Sequence, residues 1–198
     1  VLVGCGRMGG ALLKGWLARG IEPGAVAVID PDPPAWLSQA GVAANGALPD
    51  DPAVLVIAVK PQMMAEVLPR LSVGGDTLVI SVAAGVTIAA YEAAFPAAPI
   101  VRAMPNTPAS VGRGMTVLAA NAAVTPEQRR LCETLMGAVG QVAWVDDEGM
   151  IDAVTAVSGG GPAYVFLLAE LLEKAAVEQG LPADLARRMA RATVSGAG

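Results

Sequence analysis

Three sets of residues in this sequence have types and spacing that could do chemistry. The first is Gly4, Gly6 and Gly9 within Val1-Leu2-Val3-Gly4-Cys5-Gly6-Arg7-Met8-Gly9, the G-x-G-x-x-G spacing. Here Gly4 allows a tight turn after a short strand. Gly6 removes the side chain that would hold a diphosphate off the backbone, and Gly9 lets the helix approach the strand. Free N–H groups and the dipole at the helix start then face the anion. A glycine turn can also serve strand–helix packing alone, but its place between an apolar strand and an amphipathic run favours a dinucleotide. The second set is Asp30 and the turn Asp30-Pro31-Asp32-Pro33-Pro34. Asp30 stands about 20 residues past the glycines, where an acid accepts hydrogen bonds from the adenosine ribose. Such an acid repels a 2′-phosphate, and residues 31–40 contain no Lys or Arg, so NADH is favoured over NADPH. Asp30 could equally just open its turn. The third set is Pro105-Asn106-Thr107-Pro108. It reads either as an ordinary stiff turn or as fixed donors and acceptors beside a nicotinamide.

What is missing matters as much. The 198 residues include no histidine, which removes Ser–His and Cys–His nucleophiles, most zinc sites and a histidine acid. Cys5 and Cys132 are far apart and form no metal or redox motif, so no metal is expected and a reducing cytoplasm is the natural setting. The net charge of −5, without a basic block, argues against nucleic acid and against an anionic membrane surface. Apolar runs fall short of the ~20 residues of a membrane span, and no signal peptide is visible. Because the chain starts at Val1 and not Met, a few preceding residues are expected to be missing.

The elements that must position these groups follow from periodicity. Met8, Leu12 and Trp16 form one helix face, closed by Gly20. Residues 25–29, 54–59, 77–82 and 100–104 read as strands. The run 54–59 is continuously apolar, as for a parallel strand buried on both faces, and Pro61 stops it. Residues 65–71 read as a helix. Ala83 and Ala84 leave room at a strand's carboxyl end, where open α/β sheets bind ligands, although close packing explains them too. Residues 115–119 and 141–145 read as later strands, with a helix between them opened by the capping box Thr125-Pro126-Glu127-Gln128. Past Asp146 the strand signal stops. A helix at 150–157 is expected to break at Ser158-Gly159-Gly160-Gly161-Pro162, with a very apolar helix from 163 to 179 and another from 181 onward. The apolar helix has too little polar surface to stand alone. One following helix cannot cover it, so a partner subunit or further C-terminal residues must.

At this level the chain resembles the pyrroline-5-carboxylate reductases. Four motifs in order carry the resemblance: Gly4-Cys5-Gly6-Arg7-Met8-Gly9, Ala58-Val59-Lys60-Pro61-Gln62, Met104-Pro105-Asn106-Thr107-Pro108 and Asp152-Ala153-Val154-Thr155-Ala156-Val157-Ser158-Gly159-Gly160-Gly161-Pro162-Ala163-Tyr164. It implies an α/β fold, a Rossmann-type doubly wound sheet over residues 1–146, followed by an all-helical dimerisation domain that starts at 147 and continues past 198. It implies reduction of 1-pyrroline-5-carboxylate to L-proline with NAD(P)H in a homodimer or higher homo-oligomer. It places the cofactor on Val3, Gly4, Cys5, Gly6, Arg7 and Met8, on Asp30, Pro31 and Asn45, and on Ala58, Val59, Lys60 and Pro61, with Val82, Ala83 and Ala84 completing the site. Glu148 matches a position lining the substrate, with a solvated acid at a domain junction as the other possibility.

The sequence departs from that family in two ways. Gly160 replaces a serine of the usual Ser-Gly-Ser-Gly-Pro turn. The family's Gly-Gly-Thr-Thr segment, which offers a hydroxyl to the imine nitrogen, lies past residue 198, which puts independent activity of these 198 residues in doubt. The chemistry suits a chain without histidine. A cyclic imine is basic enough to arrive protonated, so positioning and electrostatics suffice. Ser158, Gly159, Gly160 and Gly161, ahead of Pro162, are expected to offer N–H groups at a helix N-terminus to the substrate carboxylate; a plain glycine hinge is the alternative. Two competing functions remain at this stage: a related Rossmann imine or keto-acid reductase, and a non-catalytic nucleotide-sensing dimer.

Overall fold

The apolar runs become the centre of one sheet. In the computed structural model, which describes residues 1–49 and 51–198, the strands are β1 (Leu2–Val3), β2 (Ala27–Ile29), β3 (Ala43–Ala44), β4 (Val54–Ile57), β5 (Leu78–Ser81), β6 (Ile100–Met104), β7 (Gly114–Ala120) and β8 (Gly140–Trp144). Their order is β3-β2-β1-β4-β5-β6-β7-β8. The first six are parallel, β7 pairs antiparallel to β6, and β8 lies parallel to β7. Alternate side chains feed opposite layers. Leu2, Val56, Leu78 and Ile80 enter one buried cluster, and Val3, Leu55, Ile57 and Val79 enter the other. Both faces are therefore covered, as a doubly wound sheet requires.

Helix α1 (Arg7–Ala18) buries Leu12, Leu13 and Trp16 on the first face. It ends as its sequence predicts. Gly20 takes φ +88° and the Ile21 N–H reaches back to the Trp16 carbonyl at 3.1 Å. The Trp16 indole N–H donates to the Leu135 carbonyl at 2.9 Å and ties α1 to the distant helix 126–136. Short helices α2 (Trp36–Gln39), α3 (Met64–Val67) and α4 (Ile88–Ala94) follow, and α5 (Pro126–Met136) carries the expected capping box. One local expectation fails, and one strand carries no sequence signal. Residues 65–71 do not form one helix: α3 is a single turn between 3₁₀ turns, because Pro69 has no N–H to continue it. β3 is two alanines, a composition with no strand signature.

The C-terminal part corrects the sequence reading more deeply. No break occurs at 158–162. Helix α6 (Met150–Val154) runs through a π turn (Thr155–Gly159) into α7 (Gly161–Glu178), and α8 (Ala183–Ala197) packs back on α7. Gly160 stays in the right-handed helical region, so glycine and proline here widen the helix instead of ending it. An 18-residue window of the continuous helix Met150–Glu178 has a mean hydropathy of 1.3, so by length and composition the helix could cross a membrane, although no uninterrupted apolar run in it reaches that length. It is not covered by the rest of the chain. No residue of α7 is buried, and Tyr164 and Phe166 are about two-thirds exposed at 65% and 68%.

Candidate functional site

The strand register sets the predicted groups side by side. Val3 is level with Ile29 and Ile57, and Ile57 with Ser81. The residues one step further, Gly4, Asp30, Ala58 and Val82, therefore form a row along the sheet's carboxyl edge. That edge lies where the strand order reverses between β1 and β4, the place where such sheets bind ligands.

The glycines of the first turn have separate reasons. Gly4 sits at φ +89°, and a Cβ there would meet the Ala58 carbonyl at 2.8 Å. A Cβ on Gly9 would overlap the Gly4 carbonyl. Gly6 has an ordinary φ of −70°, and a Cβ there meets no atom within 4 Å. The fold itself does not need glycine at 6, but a diphosphate on the backbone does. The first helix bond joins the Gly10 N–H to the Gly6 carbonyl at 2.8 Å, so the N–H groups of Arg7, Met8 and Gly9 precede it. The residues thus fit a dinucleotide.

Asp30 has a structural task as well. Its carboxylate accepts the Cys5 N–H at 2.6 Å and the Asp32 N–H at 2.9 Å, which locks the glycine turn to the end of β2. Asn45, at φ +55°, brackets the same peptide: its amide oxygen accepts the Asp30 N–H at 3.1 Å and its NH2 donates to the Asp30 carbonyl at 2.7 Å. Burial, then Asp30, pushes the Cys5 thiol up to about 11, with Lys14 opposing. The turn at Pro31, Asp32 and Pro33 is exposed.

The structure also brings in cations that the reading of residues 31–40 missed. A cleft of about 300 Å³ is lined by Gly6, Arg7, Lys14, Pro34, Trp36 and Ser110, among others. The Lys14 ammonium sits 4.8 Å from the centre of the Trp36 ring. Arg7 and Lys14 come from α1 and not from the loop after β2, so scanning that loop could not find them. Lys60 and Pro61 lie exposed past β4, and Ala84 is exposed past β5, while Ala83 is buried and donates its N–H to the Ser81 hydroxyl at 3.2 Å.

Asn106, expected beside the nicotinamide and the substrate, is not a free amide. Its oxygen accepts the Met115 N–H at 2.9 Å, and its NH2 lies 3.2 Å from both the carbonyl and the hydroxyl of Ser158. Nor do residues 158–161 form a helix N-terminus. They belong to the π turn and its exit, with the Gly160 N–H bonded to the Thr155 carbonyl at 2.8 Å. Gly159 is seated where a Cβ would come within 2.9 Å of the Met104 methyl. Gly161 remains open.

Glu148 is a paired acid, not a solvated one. One carboxylate oxygen accepts the Ile88 N–H at the start of α4 and the Arg102 guanidinium, each at 2.8 Å. Arg102, on β6, is 5% exposed and also lies 3.7 Å from Asp152. Beside it, Tyr91 and Ser81 share a buried hydrogen bond. Burial raises the Tyr91 phenol above its ordinary range, against the Ser81 bond and Arg102, which lower it. Arg102, like Lys14, is a residue that the sequence reading misses. A charged side chain inside an apolar strand signals a buried pair, but its partner is 46 positions away.

Two parts of the chain match families of known proteins. Residues 1–85 match the family described as NADP oxidoreductase coenzyme F420-dependent, and residues 148–198 that described as pyrroline-5-carboxylate reductase dimerisation. A pyrroline-5-carboxylate reductase of Pseudomonas aeruginosa is 39% identical over 98% of this chain and 75% of its own. The chain belongs to the pyrroline-5-carboxylate reductases. One from Synechocystis is 49% identical over 72% of this chain and 54% of its own. The structure of the Coxiella burnetii pyrroline-5-carboxylate reductase superposes with a TM-score of 0.86 at 37% identity, over 99% of this chain and 76% of that one. The chain thus spans about half to three quarters of the reductases it matches.

Proposed function

We propose that the protein reduces 1-pyrroline-5-carboxylate to L-proline with NAD(P)H, the last step of proline biosynthesis. Membership of the pyrroline-5-carboxylate reductases carries this reading, and the opening over Gly6 supports it. When bound, the nicotinamide supplies the hydride. The N–H groups of Arg7, Met8 and Gly9 would hold the diphosphate, Asp30 and Asn45 would frame the ribose, and residues 58–61 and 82–84 would line the rest. Residues 158–161, the end of the π turn and its exit, would face the substrate from the helical side. The imine carbon gains the hydride, the C=N bond becomes single, and the nitrogen keeps the proton it brings. No strong side-chain acid is needed, which suits a chain without histidine.

In this reading the dinucleotide-binding part ends near residue 146, between β8 and α6. The exposed apolar face of α7 is covered by a second copy in a homodimer or larger homo-oligomer, and the enzyme works in the cytoplasm with Cys5 and Cys132 as buried free thiols. Asp30 leads us to favour NADH. Arg7 and Lys14 beside Pro34 support NADPH as a second reading.

The full-length protein should oxidise reduced nicotinamide only when the imine is supplied. Turnover of a keto acid and not of the imine would refute this reading, and cofactor binding without turnover would favour a sensor. Asp30→Ser should raise the NADPH-to-NADH ratio of kcat/KM by about tenfold, equivalent to about 1.4 kcal/mol. Equal use of both cofactors by the wild type would overturn the NADH preference.

A further inference from the structure

Pro162 leaves a defect inside the long helix. With no N–H, it cannot donate to the carbonyl of Ser158, four residues earlier. That carbonyl is met by the side chain of Asn106, from the turn after β6, at 3.2 Å. The same NH2 reaches the Ser158 hydroxyl, and the Met115 N–H fixes the amide from its other end. Asn106 is held in extended backbone between Pro105 and Pro108, and its own carbonyl accepts the Ala109 N–H at 3.1 Å. Opposite it, Gly159 has no side chain to push away Met104. The missing donor, the amide and the bare glycine together dock the π turn onto the sheet's carboxyl edge.

We infer that Asn106 is a positioning residue: acting through the carbonyl that Pro162 orphans, it holds the π turn of the substrate side in register with the strand ends on the cofactor side. The inference rests on the proposed reduction. The helix defect is what makes the clasp possible, since an alanine at 162 would bond Ser158 within the helix and release it from the sheet. A separate role, mere satisfaction of a stray carbonyl, makes a different prediction.

The test is a double substitution in the full-length protein. Asn106→Ala should lower the melting temperature, speed exchange of the Met115 amide, and cut kcat with the imine by about tenfold or more, with cofactor KM changed by less than about twofold. Adding Pro162→Ala gives Ser158 an internal donor, so the melting temperature should recover while kcat stays low. Recovery of kcat along with stability would overturn the inference, as would wild-type kcat in Asn106→Ala. A large rise in cofactor KM with kcat preserved would also overturn it, because Asn106 would then be a binding contact. If the wild type fails to turn over the imine, the proposed reduction falls. Unchanged Met115 exchange and melting temperature in Asn106→Ala would still count against the clasp.

Discussion

Replacing Glu148 with alanine should cost far more than its partly open position implies. Arg102 would lose a 2.8 Å partner while its side chain stays 6% exposed. What remains is Asp152 at 3.7 Å, whose side chain is 89% exposed and therefore weak as a counter-charge. Stripping one partner from a buried pair costs about 3–5 kcal/mol. Water can replace Glu148 at the Ile88 N–H because the acid is 28% exposed, so the lower part of that range applies, about 3–4 kcal/mol. For a chain of this size that lowers the melting temperature by about 6–16 °C. Glu148→Gln keeps an acceptor for both donors and loses only the charge, so it should show about half the effect. Circular dichroism melts of the three proteins measure this directly, and added salt should change the differences little, since solvent screens a buried pair poorly. A Glu148→Ala protein within about 1 kcal/mol of wild type, the range of a surface pair, would show that Arg102 does not depend on Glu148.

Three further outcomes are expected. Gly6→Ala should leave stability within about 1 kcal/mol and weaken binding of the reduced dinucleotide by about tenfold or more, whereas Gly9→Ala, which drives a Cβ into the Gly4 carbonyl, should destabilise by about 1–3 kcal/mol or more; equal stability of the two variants in urea would refute the distinction. The Cys5 and Cys132 thiols are pushed up from 9.0 to about 11 and about 12, chiefly by burial. Their folded values are raised, so their contribution is complete below pH 9 and is lost as pH climbs toward 12, at up to about 1.4 kcal/mol per pH unit for each thiol. Urea midpoints should fall over that window, and a Cys5→Ala, Cys132→Ala protein that falls just as steeply would exclude the thiols. Leu168→Lys, on the bare face of α7, should leave monomer melting unchanged and shift the protein to monomer in analytical ultracentrifugation; an unchanged assembly would show that this face is not the contact.

How much was legible in the sequence depended on the range of the interaction. The glycine turn, the helix 126–136 with its capping box and the central strands were readable because glycine spacing, caps and apolar runs act over a few residues. The pair Ala43–Ala44 was not, since alanine carries no strand signature and joins the sheet only because β2 offers it an edge. The antiparallel turn of β7 was equally silent, because strand direction leaves no mark on composition.

The site divides along the same line. Sequence alone determined that a glycine turn of the G-x-G-x-x-G spacing stands at residues 4–9, that an acid follows the second strand, that these 198 residues hold no imidazole and that an apolar helix needs a cover. Each is a matter of residue type and local spacing. Only the tertiary structure decided that Asn106 is bound at both ends, that Arg7 and Lys14 flank the loop after β2, and that Glu148 answers a buried arginine 46 positions away. It also decided that Ser158-Gly159-Gly160-Gly161-Pro162 continues a helix. Glycine and proline there look like a break because locally they weaken one. The long-range bonds to it come from Asn106 in the turn after β6, 52 positions away, and pairings that distant are set by packing, which no local pattern encodes.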